Sequence, residues 1–359
     1  MGTNWPMQNR PVGVSGLMRV RNEEEYLEDS IDSVIDALDE LIICYHECSD
    51  RTPVILKRKQ KEYPEKIRVF HYTPRIYGHD LTLEEFDYVY NLPVDSPHLL
   101  STYYNYTLSK ATYRYAVKID ADQIYFKAYF AKICDAYRSD KKYRFTFVEK
   151  FIASIFEGFM KGQLGWFKLY LGNLFIVSGL FGHIYEQYLL KRISNEKGFT
   201  WISGVNLCVK DGNYAVPLSY SKNGESRLIG LYNGEMDHCF FEVTEDTYYY
   251  PGKQFCTSDR SKPKGYSFIE AFHTGNMSSS VFIGFLWHHM RWCKDENIKG
   301  GNISTMPYSL LKKRSAEELQ SENLFIVPNS CSWMFYFYHT CLLDYQLEKY
   351  GDLPNLRTK

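Results

Sequence analysis

The sequence contains no pattern that would place it among nucleic-acid-binding, zinc-binding or membrane-spanning proteins. Its 42 basic side chains are balanced by 43 acidic ones, so the formal net charge is −1 and nothing favours long phosphate-backbone contacts. The nine cysteines include no C-x-x-C pair, which leaves zinc unsupported and favours free thiols in a reducing compartment. No uninterrupted apolar run reaches the roughly 20 residues that a transmembrane helix needs. We therefore expect neither a nucleic-acid partner nor a membrane span.

Signals for export and for a phosphate-binding loop are also missing from the N-terminal sequence. Residues 1–11 are polar and have no apolar core of a signal peptide, so we expect a cytoplasmic protein. Residues 13–24 contain no glycine-rich loop with a Lys or Arg for phosphate. What is present is a chain of 359 residues with 45% hydrophobic content, enough for one large α/β domain with additions or for two domains.

The most informative segment is a short apolar run that ends in two carboxylates. Tyr115–Ile119 leads directly into Asp120 and Asp122, at the point where a buried strand would reach the surface. Extended residues two apart point to the same side, so both carboxylates can face one divalent cation. Mg²⁺ or Mn²⁺ commonly takes one or two protein carboxylates and completes its shell with water and phosphate oxygens. The pair predicts a diphosphate-bearing partner, and an acidic turn that merely ends a strand is the alternative.

The first 52 residues have the pattern of a βαβ unit. Val14–Glu24 is typical of a strand, a loop and the acidic first turn of a helix. Five apolar residues then share one helix face: Leu27, Ile31, Val34, Ile35 and Leu38. A second apolar run, Leu41–Tyr45, ends in the polar string His46–Thr52. Each predicted strand is therefore followed by a polar loop at its carboxyl end.

Three blocks of these residues resemble the GT-A glycosyltransferases of the inverting family 2 type: Arg19–Glu24, Glu47–Thr52 and Asp120–Asp122. The resemblance implies an α/β fold with a Rossmann-like, mainly parallel sheet that is flanked by helices. It also implies Mn²⁺ or Mg²⁺ as cofactor, held by Asp120 and Asp122, and a nucleotide diphosphate sugar as donor, with a UDP-sugar favoured.

The resemblance gives nucleotide-sugar-binding roles to individual positions in these blocks. Asn22 and Asp120 match family positions, and Arg19 occupies a place near the base and ribose from which it could reach a phosphate. His46 and Glu47 stand where the family usually has two aspartates. The resemblance therefore implies that Glu47 alone contacts the uracil.

A later block carries the expected catalytic residues. Phe199–Lys210 resembles the family segment in which a glycine, here Gly204, lets the backbone approach the donor sugar. Asp237 follows where the family places an acidic residue, and Glu235 is the alternative. In a single displacement, a carboxylate that accepts the proton of the attacking sugar hydroxyl contributes roughly 10²- to 10⁴-fold. We predict Asp237 as this base, with a helix N-cap as its structural alternative.

A late histidine is expected to complete the metal site. Many GT-A enzymes supply such a residue, and His273 lies between the apolar segment Phe268–Phe272 and a glycine turn. Imidazole is acceptable beside oxygen ligands in a mixed site. A buried core histidine is the alternative interpretation.

The resemblance, together with the change in composition after about residue 145, implies four segments. These are a nucleotide-sugar-binding half at 1–144, a hydrophobic helical insertion at 145–199, an acceptor and catalytic half at 200–279, and a helical C-terminal extension at 280–359. Ile283, Leu286, Trp287 and Met290 follow helical spacing in the last segment. For residues 151–190 we keep two interpretations: helices that cover the sheet or form a homodimer contact, or a peripheral membrane contact.

The resulting functional prediction is a metal-dependent inverting glycosyltransferase that moves a hexose from a UDP-sugar to a carbohydrate hydroxyl. The acceptor would be a glycan or a lipid-linked glycan in bacterial capsule or lipopolysaccharide synthesis, at the inner face of the cytoplasmic membrane or in the cytoplasm. A nucleotidyl or phosphoryl transferase on a similar sheet and a non-catalytic sugar-binding protein are the alternatives, since fold does not fix function.

Overall fold

The computed structural model describes residues 10–160, 178–222, 225–228, 232–252, 266–275, 279–294, 303–311, 342 and 344–353. Contacts divide the chain into two compact units. The first comprises Met1–Ile31, Leu38–Ala121 and Cys239–Ser280, and the second comprises Asp32–Ala37, Asp122–His238 and Val281–Lys359.

The described strands and helices alternate in the N-terminal part of the chain, and strands dominate later. The strands are β1 Val14–Val20, β2 Glu40–Tyr45, β3 Ile67–His71, β4 Tyr115–Asp120, β5 Gln123–Tyr125, β6 Thr200–Asn206, β7 Cys208–Lys210, β8 Asn213–Lys222, β9 Glu225–Leu228, β10 Tyr232–His238, β11 Phe240–Glu242, β12 Tyr248–Pro251, β13 Glu270–His273, β14 Val281–His289 and β15 Ile303–Pro307. The helices are α1 Leu27–Val34, α2 Thr52–Glu62, α3 Leu83–Tyr90, α4 Leu100–Leu108, α5 Lys127–Arg138, α6 Phe147–Met160, α7 Ser178–Glu196, α8 Arg291–Lys294, α9 Tyr308–Leu311 and α10 Asp344–Tyr350.

The first unit is built on a five-stranded sheet in the order β11-β4-β1-β2-β3. Strands β1 to β4 are parallel, and β11 joins the edge in the antiparallel direction. Strands β1, β2 and β4 are almost entirely buried, as expected for parallel strands that are covered on both faces. The predicted α/β fold with a mainly parallel, helix-flanked sheet is confirmed, and so is the N-terminal βαβ unit.

The second unit contains two smaller sheets and several helices. One sheet has the order β10-β6-β14-β5, and the other has the order β15-β8-β7 with β9 paired to β8. Helix α7 packs against both α5 and α6, which agrees with the predicted helical character of segment 145–199. In the part of the chain that the structure describes, every helix is too short or too polar to cross a membrane. Residues 161–177 of the predicted membrane-contact segment lie outside the described residues.

The helix predicted from residue 283 onwards is wrong, because Val281–His289 forms strand β14. All nine residues are buried, and the strand pairs with β6 on one side and β5 on the other. A short, mostly apolar run satisfies the helical and the strand pattern equally well, so spacing alone cannot separate the two. Of the predicted helical extension, α8, α9 and α10 are helices, and residues 312–341 lie outside the described part.

The thiols in the described regions agree with the prediction from cysteine spacing. None of the six cysteines that the structure describes forms a disulfide. Burial raises the pKa of Cys44 to about 11 and that of Cys208 to about 12, so both thiols stay protonated at neutral pH.

Candidate functional site

The loops after β1 and β2 interlock at the carboxyl edge of the first unit's sheet. The backbone N–H of Ser49 donates to Asn22 Oδ1 at 2.8 Å, and the N–H of Arg51 donates to Glu24 Oε2 at 2.9 Å. In return, the N–H of Glu24 donates to Asp50 Oδ2 at 3.0 Å. Side chains of each loop thus satisfy backbone groups of the other, which fixes the two loops as one unit.

Two predicted binding residues lie in these loops with left-handed backbone conformations. Asn22 has a φ of 54° and Glu47 has a φ of 41°, a region that side chains other than glycine seldom adopt. Such conformations persist where the surroundings impose them, and they concentrate at binding sites. Arg21 and Glu47 also face each other, with Nη2 and Oε2 3.8 Å apart. The geometry agrees with a role for both loops in ligand contact.

Arg19 is a buried cation at the end of β1. Its guanidinium lies 3.9 Å from the centre of the Tyr104 ring, and Nη1 donates to the Leu17 carbonyl at 3.3 Å. Nη2 is 3.7 Å from Asp120 Oδ1, as the pairing of Arg19 with Asp120 in the parallel register requires. Burial alone would lower the pKa of Arg19, but the surrounding groups, Asp120 and Glu270 among them, raise it overall. Arg19 therefore stays charged beside Asp120.

Asp120 is faced by cations on both carboxylate oxygens. Lys118 Nζ lies 3.3 Å from Oδ2, opposite the oxygen that faces Arg19. Both cations come from residues whose side chains are far more buried than Asp120, which is 33% exposed. The protein itself thus compensates much of the charge of this carboxylate and holds its orientation.

Glu270 belongs to the same group of charges, although sequence reasoning did not select it. Burial raises its pKa and Asp120 acts in the same direction, whereas Lys118 and Arg19 oppose the shift. Glu270 lies in β13, which pairs only with β12 among the described strands, and no spacing in the sequence relates it to Asp120. His273 ends the same strand, where its ring lies 5.1 Å from that of Tyr248.

In the second unit, Asp122 lies beside a histidine that the sequence did not single out as a ligand. His289 Nε2 is 3.5 Å from Asp122 Oδ2, and the backbone N–H of Met290 donates to the Asp122 carbonyl at 2.8 Å. His289 Nδ1 lies 2.9 Å from Asn206 Oδ1, and the two residues are register partners on β14 and β6. All three side chains converge where β5, β6 and β14 meet.

This arrangement fits a cation. With Asn206 Oδ1 accepting from the Nδ1–H group, a neutral imidazole turns its Nε2 lone pair toward the Asp122 carboxylate. Two acceptors at this distance repel unless a proton or a metal ion lies between them. An oxygen and an imidazole nitrogen form an acceptable donor pair for Mn²⁺. The described residues contain no group of three or more His, Cys, Asp or Glu side chains placed to hold a metal.

Gly204 makes room for an aromatic ring. A Cβ atom at this position would lie 1.9 Å from Nε1 of Trp287, the residue opposite Gly204 in the β6–β14 register. Packing against Trp287 therefore explains the glycine without a ligand, and its predicted contact with the donor sugar stays a prediction.

The predicted base and its alternative both lie in β10. Asp237 pairs with Ile202 and follows an irregularity in the β10–β6 register that spans Glu235. Strand β11 begins at Phe240, so the interpretation of Asp237 as a helix N-cap is wrong. The side chains of both residues lie outside the described part, and the catalytic role of Asp237 stays a prediction.

Comparison with known proteins agrees with the N-terminal architecture. Residues 7–156 match the family described as β-1,4-N-acetylgalactosaminyltransferase (CgtA). That match confirms the predicted resemblance to glycosyltransferases. It covers less than half of the chain, and it contains Arg19, Asn22, Glu47, Asp120 and Asp122.

Part of the chain is also similar to solved structures. Glucosyl-3-phosphoglycerate synthase from Mycobacterium tuberculosis, in complex with Mn²⁺, UDP-glucose and phosphoglyceric acid, is 19% identical, with 44% of this chain and 52% of that chain covered and a TM-score of 0.25. A structure titled as a mycobacterial protein is 19% identical over 32% of each chain, with a TM-score of 0.20. The chain thus spans about half the length of the first of these structures. No curated protein sequence matches it.

Proposed function

We propose that this chain is a metal-dependent, inverting glycosyltransferase that transfers a hexose or N-acetylhexosamine from a UDP-sugar to a carbohydrate hydroxyl. The pairing of Asp122 with His289, whose other nitrogen faces Asn206, carries the proposal. We propose that these side chains hold a divalent cation just after β4, the strand whose end predicts a diphosphate partner. The description of the matched family, an N-acetylgalactosaminyltransferase, supports an N-acetylhexosamine as the first sugar to test.

In this proposal Asp122 and His289 hold Mn²⁺ or Mg²⁺, and Asn206 keeps the imidazole in the tautomer that leaves Nε2 available. When bound, the ion would stabilise charge on the departing diphosphate. The assignment of Asp120 and His273 as metal ligands stays a prediction from the sequence. Arg19 and Lys118 lie beside the Asp120 carboxylate and compensate its charge.

Asp237 is proposed to accept the proton of the attacking hydroxyl, with Glu235 as the alternative base. A single displacement of this kind inverts the anomeric carbon, and it agrees with the β-linkage in the description of the matched family. Replacing Asp237 with Asn should abolish turnover and leave metal-dependent UDP binding intact. Unchanged turnover would reject Asp237 as the base.

The biological setting is proposed by analogy. By fold-level analogy we propose a glycan or lipid-linked glycan acceptor and a role in capsule or lipopolysaccharide synthesis. The same analogy suggests a cytoplasmic or inner-membrane-face location and a homodimer.

Thermal-shift measurements with UDP, GDP and CMP, each with Mn²⁺ or with EDTA, test the donor without requiring an acceptor. We expect UDP with Mn²⁺ to give the largest stabilisation and EDTA to remove it, because a ligand stabilises the fold in proportion to ln(1 + [L]/Kd). An equal response to all three nucleotides would contradict the UDP assignment.

Product analysis separates the alternatives. A glycosyltransferase releases UDP from UDP-N-acetylhexosamine or UDP-glucose in the presence of acceptor glycans. A nucleotidyl transferase instead releases pyrophosphate from UTP and a sugar phosphate. Binding of UDP-sugar without either product across a panel of acceptors would favour a non-catalytic protein.

A further inference from the structure

Helix α6 buries apolar side chains and also exposes large apolar side chains at its N-terminal end. Ile152 and Ala153 are each only 2% exposed, as expected for the face that packs inward. Phe147 is 83% exposed and Phe151 is 55% exposed, with Val148 exposed beside them. A helix on the surface of a soluble protein normally exposes polar residues to solvent. Large exposed apolar side chains at these positions therefore indicate an interaction surface.

The two phenylalanines form one rigid feature. Their rings stack with centroids 6.5 Å apart and planes at 12°, as residues four apart on one helix face can do. The helix start is fixed by reciprocal hydrogen bonds, Thr146 N–H to Glu149 Oε2 at 2.8 Å and Glu149 N–H to Thr146 Oγ1 at 3.2 Å. Glu149 also pairs with Lys191 Nζ at 2.6 Å. The outward rings are therefore held on a well-anchored helix.

Exposed basic residues flank these two phenylalanines in the sequence. The exposed basic residues of the segment are Lys141, Lys142, Arg144 and Lys150. Asp140 is the exposed acidic residue next to them, so the exposed charge of residues 140–151 is four positive minus one negative, or +3. The carboxylate of Glu149 does not offset this charge, because it is buried against Lys191.

We propose that residues 141–151 form a docking surface for an anionic lipid bilayer. Phe147, Val148 and Phe151 would enter the boundary between headgroups and acyl chains while the four cations contact anionic headgroups. This lies at the N-terminal end of α6 and requires no membrane-spanning helix. It does not depend on the proposed enzymatic activity.

The charge around the exposed apolar residues favours an anionic bilayer over a second copy of this chain as the binding partner. In α3, Leu83, Tyr88 and Tyr90 are also exposed, but the exposed charges beside them are Glu84 and Asp87, which an anionic bilayer would repel. A second copy of this chain on a two-fold axis would bring the four cations of residues 141–150 toward the same four on its partner. An anionic membrane complements both the apolar and the basic side chains.

Vesicle sedimentation of the full chain tests the proposal. We expect binding to phosphatidylcholine vesicles that contain about one third phosphatidylglycerol, much weaker binding to phosphatidylcholine alone, and a fall in binding as salt screens the cations. Phe147→Ser/Phe151→Ser should lower the partition coefficient on anionic vesicles by about tenfold or more. The matched control Val54→Ser/Leu83→Ser, which changes two similarly exposed apolar side chains elsewhere, should bind like the wild type.

A second variant tests the charge separately. Replacing Lys141, Lys142, Arg144 and Lys150 with Gln should remove the preference for anionic over neutral vesicles while circular dichroism and melting temperature stay near those of the wild type. The proposal is overturned if the wild type does not sediment with anionic vesicles, or if the phenylalanine variant binds them as the wild type does. It is also overturned if light scattering shows a dimer that Phe147→Ser/Phe151→Ser dissociates while vesicle binding is absent.

Discussion

His289 Nε2 lies 3.5 Å from Oδ2 of Asp122, and the opposite nitrogen of the same ring faces Asn206. Each of the three residues follows or ends a different strand, so only the folded sheet brings them together. His273, the histidine that the family resemblance suggested, lies at the end of β13 beside Tyr248. The chain thus offers two histidines whose roles a matched pair of variants can separate.

Replacing His289 with Ala should lower the Mn²⁺-dependent affinity for UDP by about 10- to 100-fold, because the cation loses its nitrogen ligand. Titration calorimetry with UDP in Mn²⁺ and in EDTA measures the effect. The residual affinity in EDTA should match that of the wild type, since the substitution leaves the predicted nucleotide contacts of the N-terminal loops unchanged.

The control is His273→Ala, which should retain most of the Mn²⁺-dependent affinity if His289 is the ligand. If only His273→Ala lost Mn²⁺-dependent affinity for UDP, His273 would be supported as the metal ligand, as the sequence predicts, and our assignment of His289 would be rejected.

Arg19 and Asp120 should be energetically coupled, although the distance of 3.7 Å between Nη2 and Oδ1 is longer than in a typical ion pair. We expect a double-mutant cycle of Arg19→Met and Asp120→Asn to give about 1 kcal/mol of coupling in the free energy of unfolding, because Arg19 is buried and weakly screened. Urea titrations of the four proteins supply the value.

Arg114 and Glu242 are the comparison pair. They approach to 2.8 Å, but Arg114 is 48% exposed, so the same cycle should give only a few tenths of a kcal/mol. A larger coupling for this exposed pair would show that distance outweighs burial here.

Local sequence signals predicted which residues meet at the carboxyl edge of the first unit's sheet, for a physical reason. Arg19 and Asp120 each end an apolar run, and parallel strands bring their carboxyl ends to one edge, so their proximity follows from the strand pattern. The polar loops around Asn22 and Glu47 were predicted in the same way.

Local sequence signals do not predict contacts between residues that lie far apart along the chain. Glu270 and His289 reach their sites through β13 and β14, and no periodicity relates either strand to β4 or β5. The sequence predicts that Gly204 contacts a ligand, but the space left by its absent side chain is filled by Trp287. Only the β6–β14 register reveals this neighbour.

Gly204→Ala should destabilise the protein by about 1 to 3 kcal/mol, because the added methyl group overlaps the indole of Trp287 in a packed interior. Thermal denaturation measures the loss, and Gly204→Ala combined with Trp287→Phe should recover part of it.

UDP-sugar binding by the same variants separates packing from ligand contact. If Gly204→Ala kept wild-type stability but lost affinity for UDP-sugar, the predicted approach of this backbone to the donor would be supported instead.

His46 should make the fold sensitive to mild acid. Burial, together with Arg21 and His71, lowers the pKa of His46 to about 4, whereas an unfolded histidine titrates near 6.5. The unfolded chain therefore binds the extra proton first, and the stability that neutral His46 provides is lost as the pH falls from about 6.5 toward 4. Between pH 7 and pH 5 the free energy of unfolding should fall by about 2 kcal/mol through this residue.

His46→Gln should remove that part of the pH dependence in urea titrations, whereas His71→Gln, at an exposed position, should leave most of it. An unchanged pH slope in His46→Gln would mean that the imidazole becomes accessible to protons without unfolding.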